Sequence, residues 1–354
     1  MKIIVDAMGG DNAPRSNVEG ALEAVREIQL SNDGKGVELA LVGRGDEILS
    51  VLRDLGCDAP PPGLEIVHAS EVVTMEDNPA TAFKEKKDSS LTVGLNLLKE
   101  GKGDAFVSAG STGALLAGAT LVTKRIRGIR RAAMAPVIPG PNGGSILIDA
   151  GATAEGIPEY LLQYAFMGSY YAEHVLGRPE PRVGLLNIGA EAGKGTDLQR
   201  ETYTLLKEAD AAGRLHFVGN VEGREAAQGA VDVIVADGYS GNIFLKTVEG
   251  TALFLSKEMK KMFTKNPLSK LAAVLVSGGI KDFKKLMDSR EVGGTPLLGI
   301  SKPVIKAHGS SDGYAIRNAI AQAARFASSG ITESITENID AMRLPVPGKT
   351  EEEG

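Results

Sequence analysis

Tryptophan is absent from this 354-residue chain, and aromatic residues make up only 5% of it. That argues against carbohydrate sites and against stacking platforms for single-stranded nucleic acid, which need such rings in number. The net charge of −6 gives no overall attraction to nucleic acid or anionic lipid, so any such contact needs a local basic patch. Cys57 is the only cysteine, which excludes a disulfide framework and a cysteine metal site and suits a reducing cytoplasm. The four histidines, His68, His174, His216 and His308, show no paired spacing, so no metal is expected. The opening Met-Lys-Ile-Ile-Val-Asp is not a signal peptide. The longest apolar stretches, 113–122 and 271–276, are too short to span a bilayer, so the chain is not expected to cross a membrane, although it can lie on one.

What the chain does contain is a soluble globular composition, 43% hydrophobic and 24% charged. Its 44 glycines follow no Gly-X-Y period and fit many tight strand-to-helix turns. Short continuous apolar runs predict strands at 3–5, 37–42, 64–67, 105–107, 146–148, 183–187, 215–218, 231–235 and 304–307, as expected for parallel strands buried on both faces. Helical periodicity alternates with them at 18–30, 46–55, 90–100, 158–176, 197–211, 243–263, 314–327 and 331–342. Pro158 in a first turn and Thr196 ahead of Asp197 are start signals. The alternation predicts an α/β fold with a doubly wound, mostly parallel sheet. At this length, residues 1–343 form one large unit or two closely joined lobes. No internal repeat is present. Residues 59–63 read as a rigid surface connector, and 344–354 as a disordered acidic tail.

Nearly every strand signal runs into a loop of Gly, Ser, Asp, Asn or Lys. Six such loops, at 6–11, 108–113, 149–153, 189–196, 236–242 and 307–312, point to a sheet edge built to hold an anion. Ligands of open α/β sheets bind beyond the carboxyl ends of the strands, where bare backbone N–H groups can face them. The nucleotide motifs fail. A P-loop needs four residues between its glycines and Ser or Thr after its lysine. Three residues separate Gly189 from Gly193 here, and Gly195 follows Lys194. Gly43-Arg44-Gly45 lacks the third glycine of a dinucleotide fingerprint. Lys194 either holds a phosphate or neutralises an oxyanion, or it is a solvated loop lysine. Asn242 donates to a carbonyl oxygen, caps the helix it opens, or does both. Ser108, Ser111 and Thr112 form an anion nest or simply cap a helix. His308 contacts a substrate or moves a proton, or is satisfied by backbone. No G-x-S-x-G elbow is present and Cys57 has no basic neighbour in sequence, so covalent catalysis has no evident agent.

Two basic segments stand out in this acidic chain. Residues 257–290 hold nine Lys or Arg against Glu258, Asp282 and Asp288, a net +6, around the apolar run 271–276. That pattern suits an interfacial anchor or a partner-binding hairpin, and equally a buried helix with a solvated basic face. Residues 124–131 carry Lys124, Arg125, Arg127, Arg130 and Arg131, which either steer an acidic partner or form a solvated loop.

Together the motifs resemble the PlsX family, the acyl-carrier-protein:phosphate acyltransferases of bacterial phospholipid synthesis. The matching stretches are DAMGGDNAP (6–14), EVVTMEDNPATAFKEKKDSSL (71–91), SAGSTGALLAGA (108–119), LLNIGAEAGKGTDLQRETY (185–203), ADGYSGNIFLKTVEG (236–250) and AHGSSD (307–312). They occur in family order and cover nearly the whole chain. Lys84 stands where members often carry Arg, and Thr196-Asp197 where Asn-Glu is common. The resemblance implies transfer of an acyl group from an acyl carrier protein thioester to inorganic phosphate by direct attack of phosphate, with no cofactor and no metal. It implies a fold like the phosphotransacetylases and the isocitrate/isopropylmalate-type dehydrogenases with a protruding helical insertion, and a homodimer. It further implies a cytoplasmic protein in peripheral membrane contact, and a membrane glycerol-3-phosphate acyltransferase that takes the product. On that basis Lys194 and Asn242 are the expected catalytic groups. Asp6, Gly9, Gly10, Asp11, Ser108, Gly110, Ser111, Thr112, Asp149, His308, Gly309 and Ser310 are the expected phosphate cradle. Lys124, Arg125, Arg127, Arg130 and Arg131 would dock the acidic carrier, and Leu271, Val274 and Leu275 would touch lipid. The competing readings are a phosphotransacetylase using acyl-CoA and a non-catalytic, carrier-binding membrane scaffold. A metal-dependent dehydrogenase is disfavoured, because no clustered aspartates occur at a helical spacing.

Overall fold

The computed structural model describes residues 1–30, 36–140, 143–287 and 289–343; the expected acidic tail lies outside them. Within them the strands are β1 (Lys2–Asp6), β2 (Glu38–Gly43), β3 (Leu64–His68), β4 (Ala105–Ser108), β5 (Ala133–Met134), β6 (Val137–Ile138), β7 (Ser145–Ile148), β8 (Val183–Asn187), β9 (Phe217–Glu222), β10 (Val233–Val235), β11 (Gly294–Leu298) and β12 (Val304–Ala307). They form two sheets rather than one, in the orders β3-β2-β1-β4-β12-β11-β5 and β6-β7-β10-β8-β9. Pairing is parallel except where β11 meets β12 and β5, and where β6 meets β7. The chain passes from the edge of the first sheet to the edge of the second across Ala135 and Pro136. There the Ala135 N–H donates to Pro296 O (3.1 Å) and the Leu147 N–H to Pro136 O (2.9 Å).

The strands that periodicity missed, β5, β6 and β11, are the antiparallel ones. Two are only two residues long, and β11 contains Pro296, which argues against a strand on sequence grounds. The proline is tolerated because β5 bonds only to Leu297 and Leu298 beyond it. One hydrophobic cluster includes side chains from both sheets, Ile3, Val5 and Ile305 with Ile146, Val183 and Val233, all at most 1% exposed. Each such side chain contributes roughly 1.5–3 kcal/mol on burial.

Helix Gly238–Thr264 starts five residues before the periodicity suggested, because Asp237 caps it and its first turn, Gly-Tyr-Ser-Gly, has no apolar stripe. It leads into helices Pro267–Leu275 and Ser277–Met287, which with its own last turns carry the basic segment. No residue of Pro267–Leu275 is buried, and Leu271, Val274 and Leu275 are 58%, 68% and 79% exposed. Within this chain, the alternative of a buried helix is therefore excluded. Among the described residues, no helix is long and apolar enough to cross a membrane.

Candidate active site

In the first sheet β1, β4 and β12 are parallel neighbours, so the loops that follow them share one edge. The Asp6 carboxylate, 2% exposed, accepts from the Ser108 hydroxyl (2.7 Å) and the Met8 N–H (3.2 Å). Burial pushes its carboxyl above the ordinary range, against hydrogen bonds from Ser90, Ser108, Met8 and Gly9. Ser108 in turn accepts from the Gly110 N–H (3.1 Å). A β-carbon on Gly9 would lie 2.5 Å from Asp6 Oδ2 and 2.7 Å from Gly110 N, so only glycine lets these two loops approach. The first loop is then clasped to the third: the Asp11 N–H donates to Gly309 O (2.8 Å), and Asn12 Nδ2 to Ser310 O and Ser311 O. Ser111 caps helix Thr112–Gly118 by accepting from the Ala114 N–H (3.4 Å), and the Thr112 side chain is exposed. His308 is exposed, and its Nδ1 accepts from the Ser310 N–H (3.2 Å), which leaves Nε2 as the outward donor in the neutral ring. Eleven of the twelve expected cradle residues thus lie in these three loops, with Gly10 and Gly309 where the loops touch. Asp6 and Ser108 spend their side chains holding those loops together rather than facing a ligand.

In the second sheet, the loops after β7, β10 and β8 share the corresponding edge. Asp149 corrects an expectation. Its buried carboxylate accepts from the N–H groups of Met134 (2.9 Å), Gly151 (3.2 Å), Ala152 (3.0 Å) and Thr153 (2.8 Å), so it shapes its own loop and offers nothing to phosphate. Asn242 is also not an N-cap. Asp237 has that role, accepting from the Ser240 N–H (2.9 Å), and Asn242 sits in the second turn with its side chain exposed. Its amide lies against Gly151, 3.5 Å from where a β-carbon would be. Lys194 is exposed in the loop after β8. Its N–H bonds to Glu191 O (3.1 Å) and its carbonyl accepts from Asn187 Nδ2 (3.1 Å), while among the described residues no ion pair holds its ammonium.

One lysine unremarked in the sequence joins the halves. Lys306, the third residue of β12, is 7% exposed and donates to the carbonyls of Ala109 (3.4 Å) and Ala307. Burial pushes its ammonium down to about 8, with Asp6 and Asp11 opposing that and Lys246 adding to it. Lys246 follows Asn242 by four residues on helix Gly238–Thr264, so both lie on one helix face about 6 Å apart along the axis. Lys246 is thus within electrostatic reach of Lys306. The signal that could have revealed Lys306 is a charge inside a continuous apolar run, Val-Ile-Lys-Ala.

The basic loop is placed differently from the cradle. The Ile126 N–H bonds to Gly299 O and Lys124 O accepts from the Ser301 N–H, ahead of β12, whereas the cradle follows it. Lys124, Arg125, Arg127, Arg130 and Arg131 are all exposed, anchored by buried Ile126 and Ile129. Arg130 pairs with Glu159 (3.3 Å) and Arg131 lies over Tyr160 (5.8 Å), in the first turn of helix Pro158–His174. The loop thus adjoins the segment after β7 that carries Asp149 and Gly151. Among the described residues, no group of three or more His, Cys, Asp or Glu is arranged to hold a metal.

A family model described as fatty acid synthesis protein matches residues 1–334. A relative from Alkaliphilus oremlandii (strain OhILAs), named phosphate acyltransferase, is 47% identical over 342 residues, 97% of this chain and 98% of the relative. Another of that name, from Exiguobacterium sp. (strain ATCC BAA-1283 / AT1b), is 48% identical over 336 residues, 95% and 98% of the two chains. The chain belongs to the PlsX family of phosphate acyltransferases. It is an acyltransferase, as the resemblance implied. A phosphotransacetylase from Streptococcus pyogenes shares the fold, with a TM-score of 0.61 at 17% identity over 93% of this chain and 94% of that one.

Proposed function

We propose that this acyltransferase moves an acyl group from the thioester of an acyl carrier protein to inorganic phosphate. The observation that carries the reading is the group of polar strand-end loops after β1, β4 and β12, clasped to one another around the buried Lys306. A phosphate held by those loops and by Lys194 attacks the thioester carbonyl carbon. A C–O bond forms, the carbonyl electrons move to oxygen, and Asn242 Nδ2 donates to that oxyanion. Collapse breaks the C–S bond, and the proton shed by phosphate ends on the carrier thiol. One such donor is worth roughly 2.7–4 kcal/mol in the transition state, and positioning supplies much of the remainder. The basic loop beside the Asn242 half supports docking of an acidic carrier there. The exposed Leu271, Val274 and Leu275 among lysines support peripheral membrane contact, with a downstream membrane glycerol-3-phosphate acyltransferase taking the product. Exposed Leu253, Phe254 and Leu255 on the long helix support a homodimer.

Lys194→Ala and Asn242→Ala should each lower turnover about 10²–10³-fold with the fold unchanged; near-wild-type turnover in both would sink the assignment. The likeness of fold to a phosphotransacetylase keeps acyl-CoA as a second donor. Acyl phosphate formation from carrier-linked against CoA-linked thioester decides between them.

A further inference from the structure

We propose that Lys306 is a phosphate-binding residue of this site, its ammonium taking the anion as counter-ion between the loop after β4 and the loop after β12. The inference deepens the function proposed above and rests on it. Position 306 lies in β12 between β4 and β11, where burial on both faces normally selects an aliphatic side chain. A buried ammonium with no contacting carboxylate is costly unless something else neutralises it. The Lys306 stem runs toward the carboxyl end of the strand, since Nζ reaches the carbonyls of Ala307 and Ala109. An ammonium has three donors, and among the described residues only these two bonds are made.

The charged groups acting on Lys306 are Asp6 from β1, Asp11 from the loop after it, and Lys246 from the long helix. None forms an ion pair with it. Asp6 is committed to Ser108 and backbone N–H groups, and its burial favours the neutral acid. Asp11 is exposed to solvent. Lys246 adds a second positive charge within electrostatic reach, although it also donates to Glu249 (2.8 Å). The third strand-end loop adds a polar atom without a partner: Ser311 Oγ is buried and unbonded. Two cations, a spare ammonium proton and an unbonded hydroxyl suit a small oxyanion carrying about two charges. Lys194, on an exposed glycine loop, reaches the anion from the solvent side; Lys306 is fixed and holds it from within the protein.

The decisive measurement is KM for phosphate in the full chain at pH 7.5 and pH 9, between which phosphate remains largely dianionic. In the wild type it should rise up to about tenfold as Lys306 loses its proton. In Lys306→Met it should already be raised at pH 7.5, by at least about tenfold, and should stay flat to pH 9, with KM for the thioester little changed. A role confined to holding the loops would raise both KM values and leave the pH trend in place. An unaltered phosphate KM in Lys306→Met overturns the inference. If that variant does not fold, a wild-type KM that ignores pH overturns it equally. Calorimetric titration of the wild type with inorganic phosphate alone, at the same two pH values, judges Lys306 without turnover. Absence of acyl phosphate formation in the wild type would instead overturn the proposed function.

Discussion

Gly241 offers a sharp test of how the second half of the site is positioned. A β-carbon there would lie 1.9 Å from the Asp149 carbonyl oxygen and 3.1 Å from its carbonyl carbon. Both are backbone atoms and neither can rotate away. Asp149 cannot easily yield, because its N–H bonds to Ala236 O (3.0 Å) and its carboxylate gathers four more N–H groups. In Gly241→Ala the two backbones must separate by about 1 Å or more to reach ordinary contact, and the helix start is the part that moves. The next residue is Asn242, whose amide now packs against Gly151. Overpacking of this kind costs about 1–3 kcal/mol of stability, and a misplacement of about 1 Å at a reacting centre can cost about 10²-fold in rate. Steady-state kinetics should therefore show kcat down by about that factor, with KM for phosphate within about twofold because the first sheet's loops are untouched. Gly250→Ala is the control, since a β-carbon there meets nothing within 4 Å on the same helix. It should leave kcat alone and stabilise the helix by up to about 1 kcal/mol. A folded Gly241→Ala enzyme with kcat within about threefold of wild type would refute the placement of Asn242 as oxyanion donor.

Lys306 also makes a stability prediction. Its folded value of about 8 lies below the ordinary 10.5, so the charged form is destabilised below pH 8 and the penalty fades as pH climbs toward 10.5. That gap is worth about 3 kcal/mol, less about 1 kcal/mol for each carbonyl bond lost in Lys306→Met. Urea unfolding should find the variant at least as stable as wild type at pH 7, with its advantage about 1 kcal/mol smaller at pH 9; a gap constant with pH contradicts the buried charge. For the protruding helices, flotation with anionic liposomes should weaken when Leu271, Val274 and Leu275 become glutamate, and weaken with added salt as the flanking lysines are screened. Unchanged flotation removes the membrane contact and leaves the chemistry standing.

Much of this architecture was legible along the chain. The nine predicted strands all exist, shifted by a residue or two except β9, which ends four residues later, because each contains a short apolar run. Pro158 starts its helix, and Gln199 accepts from the Thr196 N–H (3.1 Å) at the next one. What escaped is antiparallel or contextual. The division into two sheets depends on β5 and β6, four residues in all, with no local pattern to mark them. Asp149 and Asp6 look like ligands of an anion site in a linear reading, yet each is enclosed by its own loop's N–H groups.

Hydrophobic period, glycine and an ordered set of motifs are local properties, and they sufficed for the α/β class, the polar strand-end loops and the family. Burial and electrostatic environment are sums over residues distant in the chain. Lys306 reads as a strand-end lysine until Ala109, Asp6 and Lys246, between 60 and 300 positions away, close around it. Only the folded chain could decide which carboxylates hold loops and which ammonium lies buried among them.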